Sequence, residues 1–173
     1  MRRTSWLASL VILLVSGVSL PAAGRPPGAL IGDPLPKLRL APVDSGKPID
    51  LRQLGPGVVV FSFYSKYCRP CRRELPALHR AVTRVNASMR PKHPIRTVVL
   101  VRDLAPSRAA RRRLGKTTLW LDDRAGMARR AFVPRRYPCT YLSAKGVIRK
   151  INRGFGQAYV GRVEGWLRQL VRR

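Results

Sequence analysis

The 173-residue chain has few acidic residues: eight Asp and Glu stand against 35 Lys and Arg, which gives a formal net charge of +27. Such a surface attracts anionic partners, a class that includes lipid headgroups, nucleic acids and acidic proteins. The basic residues are dispersed along the chain, however, which equally fits an arginine-rich solvated surface. No aromatic stacking platform alternates with them, so the sequence does not predict specific binding of a nucleic acid.

Cysteine is also rare, with three residues in the chain. Three cysteines cannot build the disulfide framework of a small secreted scaffold, but Cys68 and Cys71 can form one redox pair and leave Cys139 as a single thiol. A structural zinc site usually needs a second pair of ligands, and His79 and His93 lack paired spacing. Phosphate-binding loops and hydrolase motifs are absent as well. We therefore predict neither a metal nor another bound cofactor.

The N-terminus has the layout of an export signal. Arg2 and Arg3 precede an apolar stretch over residues 6–20, and small residues follow at 21–24. This order is typical of a cleaved signal peptide over residues 1–24, and an uncleaved membrane anchor is the alternative. Both interpretations predict a periplasmic or otherwise extracytoplasmic protein, secreted or anchored, in a compartment where disulfides persist.

The remainder of the chain divides into a proline-rich linker over residues 25–36 and one domain over residues 37–173. A chain of this size can bury a core without disulfide support. Strands that alternate with helices, followed by a hairpin and a last helix, predict an α/β domain. The predicted elements include strands at 58–63 and 95–101, a helix at 71–89, a hairpin within 141–151 and a closing helix at 158–172.

Cys68 and Cys71 form a CxxC motif where a buried strand ends and a helix begins. At a helix N-terminus, unpaired backbone N–H groups and the helix dipole stabilise a thiolate, and the thiolate is the species that attacks a disulfide. Cys68 is therefore the predicted nucleophile, and Cys71 is the predicted buried resolving thiol. Arg69 adds a positive charge that favours the thiolate. A purely structural disulfide is the alternative interpretation.

Three segments carry a family resemblance. Residues 59–76 (VVFSFYSKYCRPCRRELP) resemble the active-site stretch of the TlpA/ResA branch of the thioredoxin-like thiol–disulfide oxidoreductases, with its aromatic strand, its CxPC motif and a Glu-x-Pro sequence in the helix. Residues 31–40 resemble the N-terminal hairpin of that branch. Residues 137–142 (YPCTYL) resemble its cis-proline loop.

The resemblance implies a thioredoxin fold, in which a central mixed sheet is flanked by helices and preceded by an N-terminal β-hairpin. It implies that Pro138 is a cis-proline that exposes the backbone of Tyr137 to a substrate strand, with Tyr67 as an aromatic contact. It also implies that Glu74 is a partly buried carboxylate that carries the proton of Cys71. A surface carboxylate paired with a neighbouring arginine is the alternative for Glu74.

Three positions depart from the family pattern. Tyr67 replaces the usual Trp, and Ser62 stands where thioredoxins proper carry a buried Asp, which leaves Glu74 as the better proton carrier. Cys139 follows the proline where the family usually has Thr or another small residue. We expect Cys139 to lie close to Cys68, either as a partner in an alternative disulfide or as an inert buried thiol.

The activity that the resemblance implies is dithiol–disulfide exchange with exported protein substrates, in the direction of reduction, for example of apocytochromes. Such a reductant needs a membrane electron donor to recharge it. An oxidase or isomerase role is the first alternative, because Arg69 stabilises the reduced thiolate. A non-catalytic basic module that binds an anionic membrane surface is the second alternative.

Overall fold

A computed structural model describes residues 28–44, 46–115 and 117–172, so the predicted export signal over residues 1–24 lies outside the described residues. Within the described ranges, no helix combines the length and the apolar character needed to cross a membrane. The elements, in chain order, are β1 (Arg39–Leu40), β2 (Ile49–Asp50), β3 (Val58–Tyr64), α1 (Arg69–Met89), β4 (Arg96–Val101), α2 (Arg108–Arg112), β5 (Thr118–Asp122), α3 (Met127–Phe132), β6 (Cys139–Ala144), β7 (Val147–Arg153) and α4 (Tyr159–Val171).

Five strands form one mixed sheet in the order β5-β4-β3-β6-β7, and β1 pairs with β2 in a separate antiparallel hairpin. β3, β4 and β5 run parallel to one another, whereas β6 runs antiparallel to its neighbours β3 and β7. The predicted thioredoxin fold, with its central mixed sheet and N-terminal hairpin, is confirmed.

β3 is the central strand, and all seven of its residues are buried because both faces of the sheet are covered. Phe61 and Phe63 point to the face that packs against Phe132 of α3, which we call the aromatic face. Val58 and Val60 point to the opposite face, which packs against α1 and α4 and which we call the helical face. Successive residues of a strand alternate between these faces.

Helix α1 begins at Arg69 rather than at the predicted Cys71, because Cys68 acts as its N-cap. Its apolar residues recur on one side, where they pack against α4 on the helical face. The α1 residues predicted to share one helical face are all buried: Leu75, Leu78, Val82 and Val85. Of the residues predicted to point inward from α4, Val163, Leu167 and Leu170 are buried, whereas Val160 is only partly buried. These contacts fix the start of α1 relative to the sheet.

The strand directions bring distant segments to one edge of the sheet. Parallel β3 and β4 both end at this edge, and antiparallel β6 begins there. Ser62 lies opposite Thr140 in the β3–β6 register, so the residues that follow β3 stand level with those that precede β6. We call this edge the CxxC edge, because the CxxC motif and the Tyr137–Pro138 pair meet there.

Part of the predicted linker over residues 25–36 contacts the domain. The backbone N–H of Gly32 donates to the carbonyl of Ile148 at 2.8 Å, and the N–H of Leu35 donates to the carbonyl of Gly146 at 2.8 Å. The Leu35 side chain is buried in the core of the aromatic face. The described end of this segment is therefore attached along β7 rather than extended away from the domain.

Candidate active site

Cys68 and Cys71 form a disulfide immediately beyond β3, with a Cα–Cα distance of 5.2 Å. The sulfur of Cys68 accepts a hydrogen bond from the backbone N–H of Cys71 at 3.2 Å. Pro70 lies in the first turn of α1, where its missing N–H costs no hydrogen bond. Cys68 is partly exposed and Cys71 is fully buried. This is the exposure that an attacking thiol and a resolving thiol require.

The charges around Cys68 favour its ionised form. The backbone N–H of Cys71, in the first turn of α1, points toward the Cys68 sulfur, and the N-terminal end of a helix carries about half a positive charge. Arg69 is exposed beside Cys68, and the first turn of α1 contains no acidic residue. A thiolate at Cys68 would therefore lie in a positive potential, which lowers the cost of the attacking species.

Asp103 anchors the segment that leads from β3 to the disulfide. Its carboxylate accepts a hydrogen bond from the hydroxyl of Ser65 and another from the backbone N–H of Lys66 at 2.9 Å. The Ser65 oxygen also accepts from the N–H of Tyr67 at 3.2 Å. Burial tends to raise the pKa of Asp103, but these hydrogen bonds outweigh burial and lower it. No local pattern marks Asp103, because it follows β4 whereas its partners Ser65 and Lys66 follow β3.

Glu74 is fully buried on the helical face, one helical turn after Cys71. Its Oε2 accepts a hydrogen bond from the Ser62 hydroxyl at 2.9 Å, and its Oε1 accepts one from the Thr140 hydroxyl. Burial raises the pKa of Glu74, and the hydroxyl groups that hydrogen-bond to the carboxylate offset part of that rise. Within the described ranges no basic side chain pairs with Glu74, so the surface ion pair considered above is excluded.

Thr140 and Tyr159 complete the environment of Glu74, and the sequence analysis missed both. The Thr140 and Tyr159 hydroxyl oxygens lie 3.1 Å apart. Since the single hydroxyl proton of Thr140 goes to Glu74, the Tyr159 hydroxyl is the donor in this contact. No pattern in the sequence could have placed Tyr159 here, because the packing of α4 against α1 sets its position.

The predicted substrate-contact residues lie at the CxxC edge. The Tyr137–Pro138 peptide bond is cis, as expected. The ring of Tyr137 packs edge-on against Phe63, with 6.2 Å between the ring centroids. Tyr67 is 79% exposed, and the Lys66 ammonium lies 4.7 Å from the centre of its ring. A large exposed aromatic side chain beside Cys68 is a surface that a polypeptide can cover.

Cys139 is a fully buried free thiol. Its side chain belongs to the core of the aromatic face, together with Phe63, Phe132 and Tyr141. Burial raises the pKa of Cys139 to about 11. Of the two alternatives for this residue, the structure favours an inert buried thiol over an alternative disulfide, because α1 and its first turn cover the other face.

No site for a metal ion is formed in the described part of the chain, where no three His, Cys, Asp or Glu side chains are grouped. The CxxC edge brings together two cysteine sulfurs, a buried carboxyl group and the hydroxyls around it. This combination suits thiol–disulfide exchange, in which sulfur carries the electrons and a carboxyl group can carry the proton.

Comparison with protein-family models matched residues 31–89 to the AhpC/TSA family. Comparison with the curated proteins gave no match. Among solved structures, a putative thiol:disulfide interchange protein DsbE from Chlorobium tepidum is similar with a TM-score of 0.68 and 18% identity, over 83% of this chain and 99% of that chain.

Two further solved structures share the fold. A secreted Mycobacterium tuberculosis disulfide oxidoreductase homologous to E. coli DsbE has a TM-score of 0.56 and 15% identity, over 78% of this chain and 96% of that chain. The bacterioferritin comigratory protein of Xanthomonas campestris, which has alkyl peroxide reduction activity, has a TM-score of 0.61 and 18% identity, over 83% of this chain and 99% of that chain. These findings agree with the TlpA/ResA resemblance of the active-site motif. The protein therefore has the fold of the thioredoxin-like thiol–disulfide oxidoreductases, and over residues 31–89 it matches the AhpC/TSA family.

Proposed function

We propose that the protein is an extracytoplasmic thiol–disulfide oxidoreductase that reduces disulfides in exported protein substrates. The observation that carries the proposal is the disulfide between a partly exposed Cys68 and a buried Cys71, with the buried carboxyl group of Glu74 one helical turn away. A purely structural disulfide would not need a titratable group buried beside it, since burying a carboxyl group costs free energy.

In the proposed reaction the reduced protein donates two electrons. The Cys68 thiolate attacks one sulfur of the substrate disulfide, so that a mixed disulfide forms and one substrate thiolate leaves. Cys71 then loses its proton and attacks Cys68, which forms the Cys68–Cys71 disulfide and releases the second substrate thiolate. The two substrate thiolates take up protons, and the substrate leaves as a dithiol.

Glu74 is the proposed proton carrier for Cys71. A buried thiol cannot lose its proton directly to water, and the raised pKa of Glu74 makes its carboxylate a stronger base than an exposed carboxylate. The hydroxyl groups of Ser62 and Thr140 hold the two carboxylate oxygens in place. Tyr67 and the backbone of Tyr137 beside cis-Pro138 are the proposed contacts for the substrate polypeptide.

The direction of electron flow and the location are inferred from the resemblance and from the N-terminal sequence. The TlpA/ResA branch implies reduction of exported cysteines, for example those of apocytochromes, with a membrane protein as electron donor. The export-signal layout of residues 1–24 supports a place outside the cytoplasm. The similarity to a secreted disulfide oxidoreductase supports the same location.

The reduction potential of the Cys68–Cys71 pair tests the proposal. The full-length protein is equilibrated in dithiothreitol or glutathione redox buffers, and the alkylated thiols are counted by intact mass. A Cys139→Ala variant serves as the control, because it removes the third thiol and should leave the potential unchanged. A potential at or below about −250 mV supports a reductant.

Two other results would change the assignment. A potential between about −120 and −180 mV would indicate an oxidase or isomerase and would reverse the proposed direction. The absence of any reversible two-electron step would leave the basic binding module as the better explanation of the charged surface.

A further inference from the structure

Six arginines lie on the segments that meet at the CxxC edge. They come from the first turns of α1, from the end of β4 and from the loop before cis-Pro138, and every one is exposed. The members of this cationic rim are Arg69, Arg72, Arg73, Arg102, Arg135 and Arg136. The backbone N–H of Arg102 donates to the carbonyl of Tyr64 at 2.9 Å, which places this residue directly beside the exit of β3.

The charge of the cationic rim is not neutralised by carboxylates of the same chain. Among the described residues, none of the six arginines forms an ion pair. Asp103 lies beside the segment that leads to the disulfide, and its oxygens already accept hydrogen bonds from Ser65, Lys66 and Leu104. Glu74 is buried and cannot offset the charge of exposed arginines.

Several of the few acidic side chains are paired with arginines that do not belong to the cationic rim. The ion pairs join Asp44 to Arg108 and Arg111, Asp50 to Arg52, Glu164 to Arg84, and Asp122 to Arg124. The high net charge of the chain is therefore left uncompensated at the rim, where a substrate must approach Cys68. Uncompensated charges around a site attract an oppositely charged partner and repel a similarly charged one.

We propose that the substrates of this protein carry acidic side chains on both sides of the cysteine that Cys68 attacks. This inference rests on the proposed function and specifies its substrate class. Arg69, Arg72 and Arg73 flank one side of Cys68, whereas Arg135 and Arg136 lie across the CxxC edge in the cis-proline loop. A polypeptide that covers exposed Tyr67 and reaches Cys68 lies between these two groups of positive charge.

Peptide disulfides test the proposal. Three synthetic peptides share the same intramolecular disulfide and differ in the residues that flank it, which are glutamate, glutamine or lysine. The full-length protein is reduced with dithiothreitol, desalted and mixed with each peptide in a single turnover. We expect the glutamate peptide to react about tenfold faster than the glutamine peptide at about 50 mM salt, and the lysine peptide to react more slowly than both.

High salt and charge-reversing substitutions show whether the preference for the glutamate peptide depends on the cationic rim. Screening at about 500 mM salt should reduce the preference to less than about twofold. An Arg135→Glu/Arg136→Glu variant should lose or reverse the preference for the glutamate peptide over the lysine peptide. The matched control is Lys92→Glu/Arg149→Glu, which changes the net charge equally in a cleft at the opposite edge of the sheet and should keep the preference.

The outcomes separate the two proposals. If no peptide is reduced, the proposed function fails. If all three peptides are reduced at equal rates, the acidic substrate class is wrong. If both double variants lose the preference equally, the total charge of the protein rather than the cationic rim sets the preference, and the proposed role of the rim is overturned. If rim reversal leaves peptide selectivity intact but abolishes binding to phosphatidylglycerol vesicles, the rim contacts an anionic membrane and the proposal is overturned.

Discussion

Cys139 and Thr140 are neighbours in β6, and both are fully buried, yet they lie in opposite chemical environments. The Thr140 hydroxyl donates to Glu74 on the helical face. The Cys139 thiol lies on the aromatic face, where Phe132 and Tyr141 pack edge-on with 4.9 Å between their ring centroids. Because successive residues of a β-strand point to opposite faces, the Thr140 hydroxyl can tune the redox chemistry, whereas the Cys139 thiol is kept away from the redox site.

The contrast shows that burial alone does not define a functional residue. A buried thiol among aromatic rings behaves as a small apolar side chain, and its raised pKa leaves it protonated. A buried carboxyl group ringed by hydroxyls keeps its hydrogen bonds and remains able to exchange a proton. What surrounds each group therefore decides its role.

Serine substitution of Cys68 and of Cys139 should produce the largest difference between the two faces. Cys68→Ser should reduce disulfide exchange to the rate of the buffer control, because no thiolate remains to attack. Cys139→Ser should retain the wild-type rate constant, since this thiol takes no part in the exchange. Reduction of a peptide disulfide, followed by thiol counting, measures both. A Cys139→Ser protein that is folded but inactive would contradict the separation.

Glu74→Gln should lower the exchange rate about a hundredfold near neutral pH, because general acid–base catalysis contributes at least that factor and Gln cannot carry a proton. Gln retains one oxygen that can accept from one of the two hydroxyls of Ser62 and Thr140, and its amide N–H can donate to the other, so the fold should persist. Single-turnover kinetics distinguish the steps: the mixed disulfide should accumulate in the variant, since the defect lies in activation of Cys71. An unchanged rate of resolution would exclude Glu74 as the proton carrier.

The stability of the oxidised protein should also depend on Glu74. Its pKa is raised in the folded state, so the folded protein binds the proton more tightly than the unfolded chain. Stability from this group is therefore present below the ordinary glutamate pKa and is lost as pH rises through the folded pKa. Each unit of pKa elevation corresponds to about 1.4 kcal/mol.

Urea unfolding of wild type and Glu74→Gln at a series of pH values measures this effect. The variant should gain stability relative to wild type as pH rises from about 4 toward 8, because Gln does not ionise. A difference that stays constant over this range would show that Glu74 has the same proton affinity in the folded and unfolded states.

Thr140→Val should produce a smaller change on the helical face. Loss of the Thr140 hydroxyl removes a hydrogen bond that favours the Glu74 carboxylate, so the pKa of Glu74 should rise further and the pH–rate profile should move to higher pH. The free energy of unfolding should fall by about 1–3 kcal/mol, since Glu74 and Tyr159 lose a partner. Cys139→Ala, one residue away on the aromatic face, is the control and should leave the pH–rate profile in place.

Alkylation of Cys139 should give the smallest effect. In the reduced native protein at about pH 8, iodoacetamide should label Cys68 and leave Cys139 unmodified, because Cys139 is buried and its pKa is about 11. Peptide mapping by mass spectrometry after short labelling measures both sites. Labelling of Cys139 at a rate similar to Cys68 would show that the aromatic face opens and that the two faces are less distinct than the structure indicates.

Much of the architecture could be predicted from local patterns. The apolar run of β3, the spacing of Leu78, Val82 and Val85 in α1, and the CxxC motif at their junction each depend on residues near one another in sequence. The predicted start of α1 at Cys71 is two residues too late, because Cys68 serves as the N-cap and the pattern of apolar residues does not show where a helix begins. The division into an export signal, a linker and a domain stays a prediction.

The amino-acid sequence by itself determined which groups are available: two cysteines that a helix start can activate, one proline that can be cis, and an excess of arginine. Only the tertiary structure decided which of them share an environment. The β3–β6 register placed Ser62 opposite Thr140, and the packing of α4 brought the Tyr159 hydroxyl within 3.1 Å of the Thr140 hydroxyl. These contacts join residues far apart in the chain, and their free energy comes from burial and hydrogen bonding that no local pattern records.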